Sequence, residues 1–230
     1  MMLDSPQPTY ASLLQVAKTR HSCRAFLPRP VARAEIDRML AVAEMTPSDC
    51  NSQPWEVFFA SGPTLERLRA DLFAAAGGQE TPTTDVPPIA KYTGLYQDRR
   101  RACGWALYEA VGVTKGDRVA SGKQAMENFR FFGAPNVAIV TSPKSLGERG
   151  LFDTGIYLGH FLLAAQSLGI AAVPQGAISH YAAVIRRHLP IPEELQIICG
   201  VAFGYSDTSH PANDFRTTRA PRDEYVHFAE

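Results

Sequence analysis

The chain has no excess of charge of either sign: Lys+Arg and Asp+Glu both number 23 in 230 residues. With no net field, long-range attraction to nucleic acid or to anionic lipid is not expected. No apolar run approaches the roughly 18 residues of a membrane span. The longest candidate, Phe161 to Val173, is interrupted by Gln166, Ser167 and Gly169. The opening Met1-Met2-Leu3-Asp4-Ser5-Pro6 lacks the charged-then-apolar pattern of a signal peptide. Cysteine is scarce, and Cys23, Cys50, Cys103 and Cys199 form no C-x-x-C. The histidines are scattered as well, so a metal site is not expected and reduced thiols in a cytoplasm are. No G-x-G-x-x-G opens a helix after a strand: Gly200-Val201-Ala202-Phe203-Gly204 lacks both the third glycine and the helix. A P-loop, internal repeats and low-complexity linkers are missing too. What remains is a composition of 45% hydrophobic and 20% charged residues, ordinary for a globular protein with a sizeable core.

Periodicity supplies the elements. Residues 9–19 read as a helix with Thr9 as N-cap. Ile36, Leu40 and Ala43 recur at helical spacing within Ala34 to Met45, and Pro47 ends that element. Trp55 to Ala60 reads as a strand bounded by Pro54 and Ser61-Gly62-Pro63. A helix from Thr64, its cap, to about Ala76 stops at Gly77-Gly78. Residues 79–95 are Pro-punctuated loop and Tyr96 to Val111 a helix. The aromatics Tyr92, Tyr96, Trp105 and Tyr108 and the run Arg99-Arg100-Arg101 read as a core stripe and a solvated face, or as part of a lid. Further helices are expected at Ser121 to Phe132, Asp153 to Leu168 and His180 to His188. Asp153 is expected to favour a helix N-terminus, and Gly155 and Gly159 to mark close helix packing. Strands are expected at Asn136 to Thr141, Ala171 to Pro174 and Gln196 to Phe203. After Gly204 the chain is polar except for Tyr225-Val226-His227-Phe228, which suits an extended arm packed on something else. Helices alternating with four strands put the chain in the α/β or α+β class.

Chemistry gathers in a few short segments. Arg20-His21-Ser22-Cys23-Arg24-Ala25-Phe26 places two guanidiniums, an imidazole and a hydroxyl within five residues, which suits a phosphate dianion. Pro47-Ser48-Asp49-Cys50-Asn51-Ser52-Gln53-Pro54-Trp55 follows about one helix later. Read alone, Asn51 and Gln53 are also turn formers ahead of a strand, and Trp55 is core. Val173-Pro174-Gln175-Gly176-Ala177 carries a glycine that permits close approach of backbone to a ligand. Asn213-Asp214-Phe215-Arg216-Thr217-Thr218-Arg219 forms a second basic cluster.

Together these segments resemble the FMN-dependent nitroreductase family, in which R-x-S-x-R-x-F is followed by P-S-x-x-N-x-Q-P-W. The resemblance covers most of the chain but not residues 77–120. It implies an α+β sandwich of helices around a mixed, mainly antiparallel sheet. It also implies a single domain over 1–230, with a variable lid at 77–120 and an extended C-terminal arm at 207–230 exchanged between the subunits of a homodimer. Arg20, Ser22 and Arg24 would hold the FMN phosphate and ribityl chain, with His21 packed nearby. Pro47, Ser48, Asn51 and Gln53 would reach the flavin from the opposite subunit. Arg219, and more weakly Arg216, would add cations; Thr217 stands where the family often has lysine. Pro174, Gln175 and Gly176 would present a backbone N–H to flavin N5. Arg130, and more weakly Asn128, would face N1 and O2. Tyr92, Tyr96 and Trp105 would line the acceptor side. No side chain acts as acid, base or nucleophile, because the flavin carries the hydride.

The expected activity is hydride transfer from NAD(P)H to nitroaromatic compounds, with quinones as further acceptors, by a ping-pong mechanism. Iodotyrosine dehalogenases share the fold but use a Glu, Tyr and Lys lid; Glu80 is followed four residues later by Thr84, so that triad is not visible. The flavin-destroying synthase of the cobalamin lower ligand shares the N-terminal motif. A flavin-binding protein without turnover is the reading from a different class.

Overall fold

The computed structural model describes residues 7–229; the hexapeptide read above for a targeting pattern lies outside them. Four strands form one sheet in the order β1-β2-β4-β3: β1 (Glu56–Ser61), β2 (Asn136–Pro143), β3 (Ala171–Gln175) and β4 (Leu195–Gly204). All three ladders are antiparallel; the β2–β4 register shifts between Val140 and Thr141, where Ile198 of β4 is the extra, unpaired residue.

The central strands are buried along almost their whole length because both faces are covered, and alternation sorts their apolar side chains between two layers. Val137 and Ile139 of β2 pack with Leu65, Leu68 and Leu72 of α3 (Gly62–Ala74) and Ile185 of α7 (Ala182–His188). Ala138 and Val140, one residue out of phase, pack with Met39 of α2 (Arg33–Ala43) and Phe161 of α6 (Gly147–Ser167). This is the expected sandwich of helices around a sheet. The remaining helices, α1 (Pro8–Thr19), α4 (Gly94–Ala110) and α5 (Arg118–Met126), contribute no fully buried residue.

Several local expectations need correction. Helix α1 begins at Pro8 after Gln7, so Thr9 is inside it and not its cap. Likewise α3 begins at Gly62 after Ser61, and Thr64 caps nothing. The helix expected over Ser121 to Phe132 stops at Met126. A 3-10 segment, Glu127–Gly133, follows, in which Phe131 and Phe132 adopt φ of 54° and 52°. Both rings are buried in the α3 layer, so burial holds a left-handed backbone that phenylalanine rarely adopts. Helix α6 starts at Gly147, which puts Asp153 in mid-helix; there its carboxylate accepts from the Asp49 N–H at 3.0 Å. Gly155 and Gly159 face open space within the described residues, where a Cβ would meet nothing within 4 Å. His180 belongs to a 3-10 turn, Ala177–His180, ahead of α7.

The segment 77–120 is not one unit. Its first part is fastened to the body: Thr83 exchanges backbone bonds with His180 and Ala182, and Asp85 pairs with Arg186. Its second part, α4, lies on the surface with Leu95 and Tyr96 more than half exposed.

Candidate active site

The first basic segment is positioned by the sheet edge. Ser22 bridges Ala172 of β3 in parallel register, and the Cys23 N–H donates to the Ala172 carbonyl at 3.2 Å. Residues 20–24 thus run beside the outer edge of β3. The second basic segment is brought alongside by Asn213, which is 6% exposed. Its Oδ1 accepts from the Arg24 N–H at 2.7 Å, and its Nδ2 donates to the carbonyls of Ala25 at 2.9 Å and Asp207 at 2.8 Å. A buried amide that spends donors and acceptor on two distant segments is a clamp. In the sequence the only signal for Asn213 is its place three residues before Arg216.

The result is a cleft of about 800 Å³ lined by Arg20, His21, Ser22, Arg24, Arg216 and Arg219, with Cys103 of α4 entering from one side. Six of the expected residues therefore meet. None of the four guanidiniums has a carboxylate within ion-pair reach among the described residues; exposed arginines such as Arg29, Arg38 and Arg149 share that property, and what sets the four apart is their convergence on one cleft. Arg24 instead lies over the Phe215 ring at 5.3 Å and donates to the Ser22 carbonyl. Arg216 donates to the Asn213 carbonyl at 2.6 Å and Arg219 to the Thr217 hydroxyl at 2.9 Å. Burial, and then the proximity of Arg219, pushes the Arg20 pKa down; burial does the same to Arg24. Crowded, half-desolvated cations of this kind are stabilised by an anion.

Farther along β3 stand Pro174, Gln175 and Gly176. Gln175 is buried, its Nε2 donates to the Asn128 carbonyl at 2.8 Å, and its Oε1 has no partner. That bond ties Asn128 to the strand end. Among the described residues the Gly176 N–H donates to no backbone carbonyl outside the strand ladders. Arg130 is exposed, over the Phe73 ring at 4.1 Å and 3.6 Å from Glu127, and does not line the cleft.

The loop 47–54 lies elsewhere. Pro47 and Ser48 share a pocket with Phe152, Asp153 and Ile156 of α6. Cys50, Asn51 and Gln53 all adopt left-handed φ, 49°, 57° and 47°. The Gln53 N–H donates to the Ser48 hydroxyl at 2.9 Å, and the Gln53 side chain reaches back to the Asn51 carbonyl. Three such residues within four cost free energy, which marks a loop shaped for a task. The side chains of Asn51 and Gln53 are exposed and point to no part of the cleft lining. Trp55 is half-buried and stacks on Tyr157 at 5.0 Å. The aromatics Tyr92, Tyr96 and Trp105 are exposed and do not line the cleft; Trp105 borders a separate pocket with Glu109 and Lys115.

Comparison with known proteins adds a second line of observation. The model of the nitroreductase family matches residues 17–205. A nitroreductase of Mycolicibacterium smegmatis, NfnB, is 33% identical over 94% of this chain and 92% of its own. A 4-nitrobenzoate reductase of Pseudomonas putida is 30% identical over 93% of each. The crystal structure of the FMN-dependent nitroreductase NfnB from Mycobacterium smegmatis in complex with NADPH superposes with a TM-score of 0.91 at 32% identity, covering 96% of this chain and 99% of that one. With the arginine cleft beside β3 and likeness at this level across nearly the whole of both chains, the chain belongs to the nitroreductase family.

Proposed function

We propose that the chain is an FMN-dependent oxidoreductase that passes reducing equivalents from NAD(P)H to nitroaromatic acceptors, with quinones as further acceptors. The observation that carries this reading is the set of four guanidiniums without carboxylate partners at the edge of β3. Their donor chemistry fits the phosphate of FMN: charge-assisted, forked bonds to a dianion whose arrival offsets the crowding of Arg20 and Arg219. From Ala172, beside Ser22, to Gly176 the strand runs four residues, about 13 Å, comparable with the reach of a ribityl phosphate. The free Gly176 N–H and the buried, unpartnered Gln175 Oε1 at that far end suit the heteroatom edge of a flavin ring. Relatives named for FMN, NADPH and 4-nitrobenzoate agree with the assignment.

In this reading Arg20, Arg219, Ser22 and Arg24 anchor the phosphate, Asn213 holds the two anchoring segments in register, and Gln175 fixes Asn128 against the ring edge. Bound FMN supplies two-electron hydride chemistry; the chain supplies binding, orientation and electrostatics. The donor leaves before the acceptor enters, both using one pocket. The loop 47–54 serves the cleft of a second copy, because within one chain its exposed amides do not line the cleft. An interface is available: Tyr10, Leu13, Val42, Met45 and Phe152 are each more than two-fifths exposed on α1, the α2 end and α6.

The test is colour. The purified protein should carry about one FMN per chain, bleach anaerobically with NADPH and recover on adding 4-nitrobenzoate. Protein that binds FMN but stays oxidised with both reduced nicotinamides is a flavin carrier, and the enzymatic reading fails. Light scattering that gives a monomer with full FMN content removes the homodimer.

A further inference from the structure

The arginine cleft continues past the four cations. It shares Cys103, Arg216 and Thr217 with a second chamber of about 310 Å³. One wall is α4, whose Arg99, Ala102, Cys103 and Ala106 recur every three or four residues and so share a helix face. The other wall is the stretch from Arg216 to Ala220. Alanine on both walls leaves room for a flat heteroaromatic ring, and the Thr217 and Thr218 hydroxyls offer partners to a sugar.

Charge distinguishes this chamber from a packing defect. A phosphate monoester carries at most two negative charges, whereas the joined clefts present Arg20, Arg24, Arg216 and Arg219 without carboxylate partners. Arg99 on the far wall has one partner, Glu224, at 2.8 Å, and both side chains are nearly half exposed. An exposed pair of this kind is weakly held, and a phosphate with double charge and three acceptor oxygens competes well for the guanidinium. A second phosphate beside the first would complete the balance.

We propose that the second chamber receives the phosphorylated adenosine end of the reduced nicotinamide donor, and that Arg99 and Arg216 favour NADPH over NADH by meeting its 2′-phosphate. This rests on the reading that FMN occupies the first chamber. The experiment uses the FMN-loaded protein with 4-nitrobenzoate fixed and each donor varied. The wild type should prefer NADPH. Arg99→Gln should lower the NADPH/NADH ratio of kcat/KM about tenfold, through KM for NADPH, as expected for one lost charge-assisted contact. Glu224→Gln frees Arg99 and should move the ratio the other way, by about two- to threefold. FMN content, measured by absorbance, serves as the folding control for both. A wild type indifferent to the 2′-phosphate, or a ratio unmoved in both FMN-loaded variants, overturns the proposal. So does Arg99→Gln weakening FAD binding to the apoprotein while leaving the donor ratio intact, because the chamber then belongs to a flavin dinucleotide. If wild-type flavin is bleached by neither donor, it is the enzymatic reading that has failed, and this proposal falls with it.

Discussion

At the end of α7 the consecutive Arg186, Arg187 and His188 each meet a carboxylate, whereas in the cleft Arg20, Arg24, Arg216 and Arg219 meet none. Arg186 forks onto Asp85 at 2.7 and 3.2 Å and also donates to the Leu195 carbonyl, while Asp85 accepts from the Ile197 N–H. Arg187 forks onto Glu80, and His188 lies 2.8 Å from Asp71. The first cluster spends its charge inside the chain, fastening residues 80–86 to α7 and β4, and α7 to α3. The second leaves its charge without a carboxylate among the described residues, which is what the proposed cofactor phosphate would answer. Arginine count and local sequence do not separate these cases; the location of the carboxylates does.

The largest effect should come from breaking the satisfied cluster. Asp85→Ala leaves Arg186 buried without its partner, and the unfolding free energy in urea should fall by about 3–5 kcal/mol. A loss below about 1 kcal/mol would mean that the pair does not hold the 80–86 segment. Arg219→Ala should act the opposite way: FMN binding weakens by about 2–5 kcal/mol while apoprotein stability holds or rises, since Arg20 loses a like-charged neighbour. Equal losses of apoprotein stability in both variants would erase the distinction between the clusters. Asn213→Ala sits between the two, because the clamp serves the anion site yet is itself buried. Apoprotein stability should drop by about 1–3 kcal/mol and FMN affinity should drop with it.

Alkaline titration then isolates the core from both clusters. Burial pushes the Cys199 thiol up from 9.0 to about 12, and burial followed by the Glu44 charge takes the Tyr157 phenol from 10.0 to about 12. Both groups are raised, so their contribution is whole below pH 9 and is lost as pH climbs. The unfolded thiol ionises first, and stability should fall by about 1.4 kcal/mol per pH unit above pH 9 and more steeply above pH 10. Cys199→Ala should flatten the first part of that slope, read by thermal melts from pH 8 to 11. Smallest of all is Glu80→Gln. The carboxyl is exposed, its pKa held down by the Arg187 hydrogen bonds, and no change in melting temperature at pH 7 is expected.

Much of the sandwich was legible because it rests on local rules. Runs such as Val137 to Val140 are continuous and apolar where both faces are buried, and Pro47 keeps the second helix from resuming for steric reasons. The expected stop at Gly77-Gly78 fails, because a π segment, Ala75–Gln79, carries the chain on from α3 through both glycines. The cleft arginines Arg20, Arg24, Arg216 and Arg219 were legible as two basic motifs. Long-range pairings were not, since nothing near Asp85 announces Arg186. The start of α6 was missed because Gly147 and Gly150 lower helicity. Only the fold shows that a side chain at Gly150 would press on the Ser142 hydroxyl. Phe131 and Phe132 are a case of tertiary burial overriding backbone preference. For the loop 47–54 the sequence supplied the residue types, while its separation from the arginine cleft of its own chain appeared only in three dimensions.

The bridge between Ser22 and Ala172 also bears on how the protein keeps to itself in solution. A sheet edge with free amides and carbonyls is a template for aggregation. Along β3 that edge is covered at Ala172 by the basic segment Arg20 to Arg24, and Pro174 removes an N–H that a foreign strand would need. The segment proposed to anchor FMN is therefore also the cover of an adhesive edge. Cofactor loss that lets residues 20–24 peel away would cost the cell more than one activity, because it would leave behind a surface that recruits other chains.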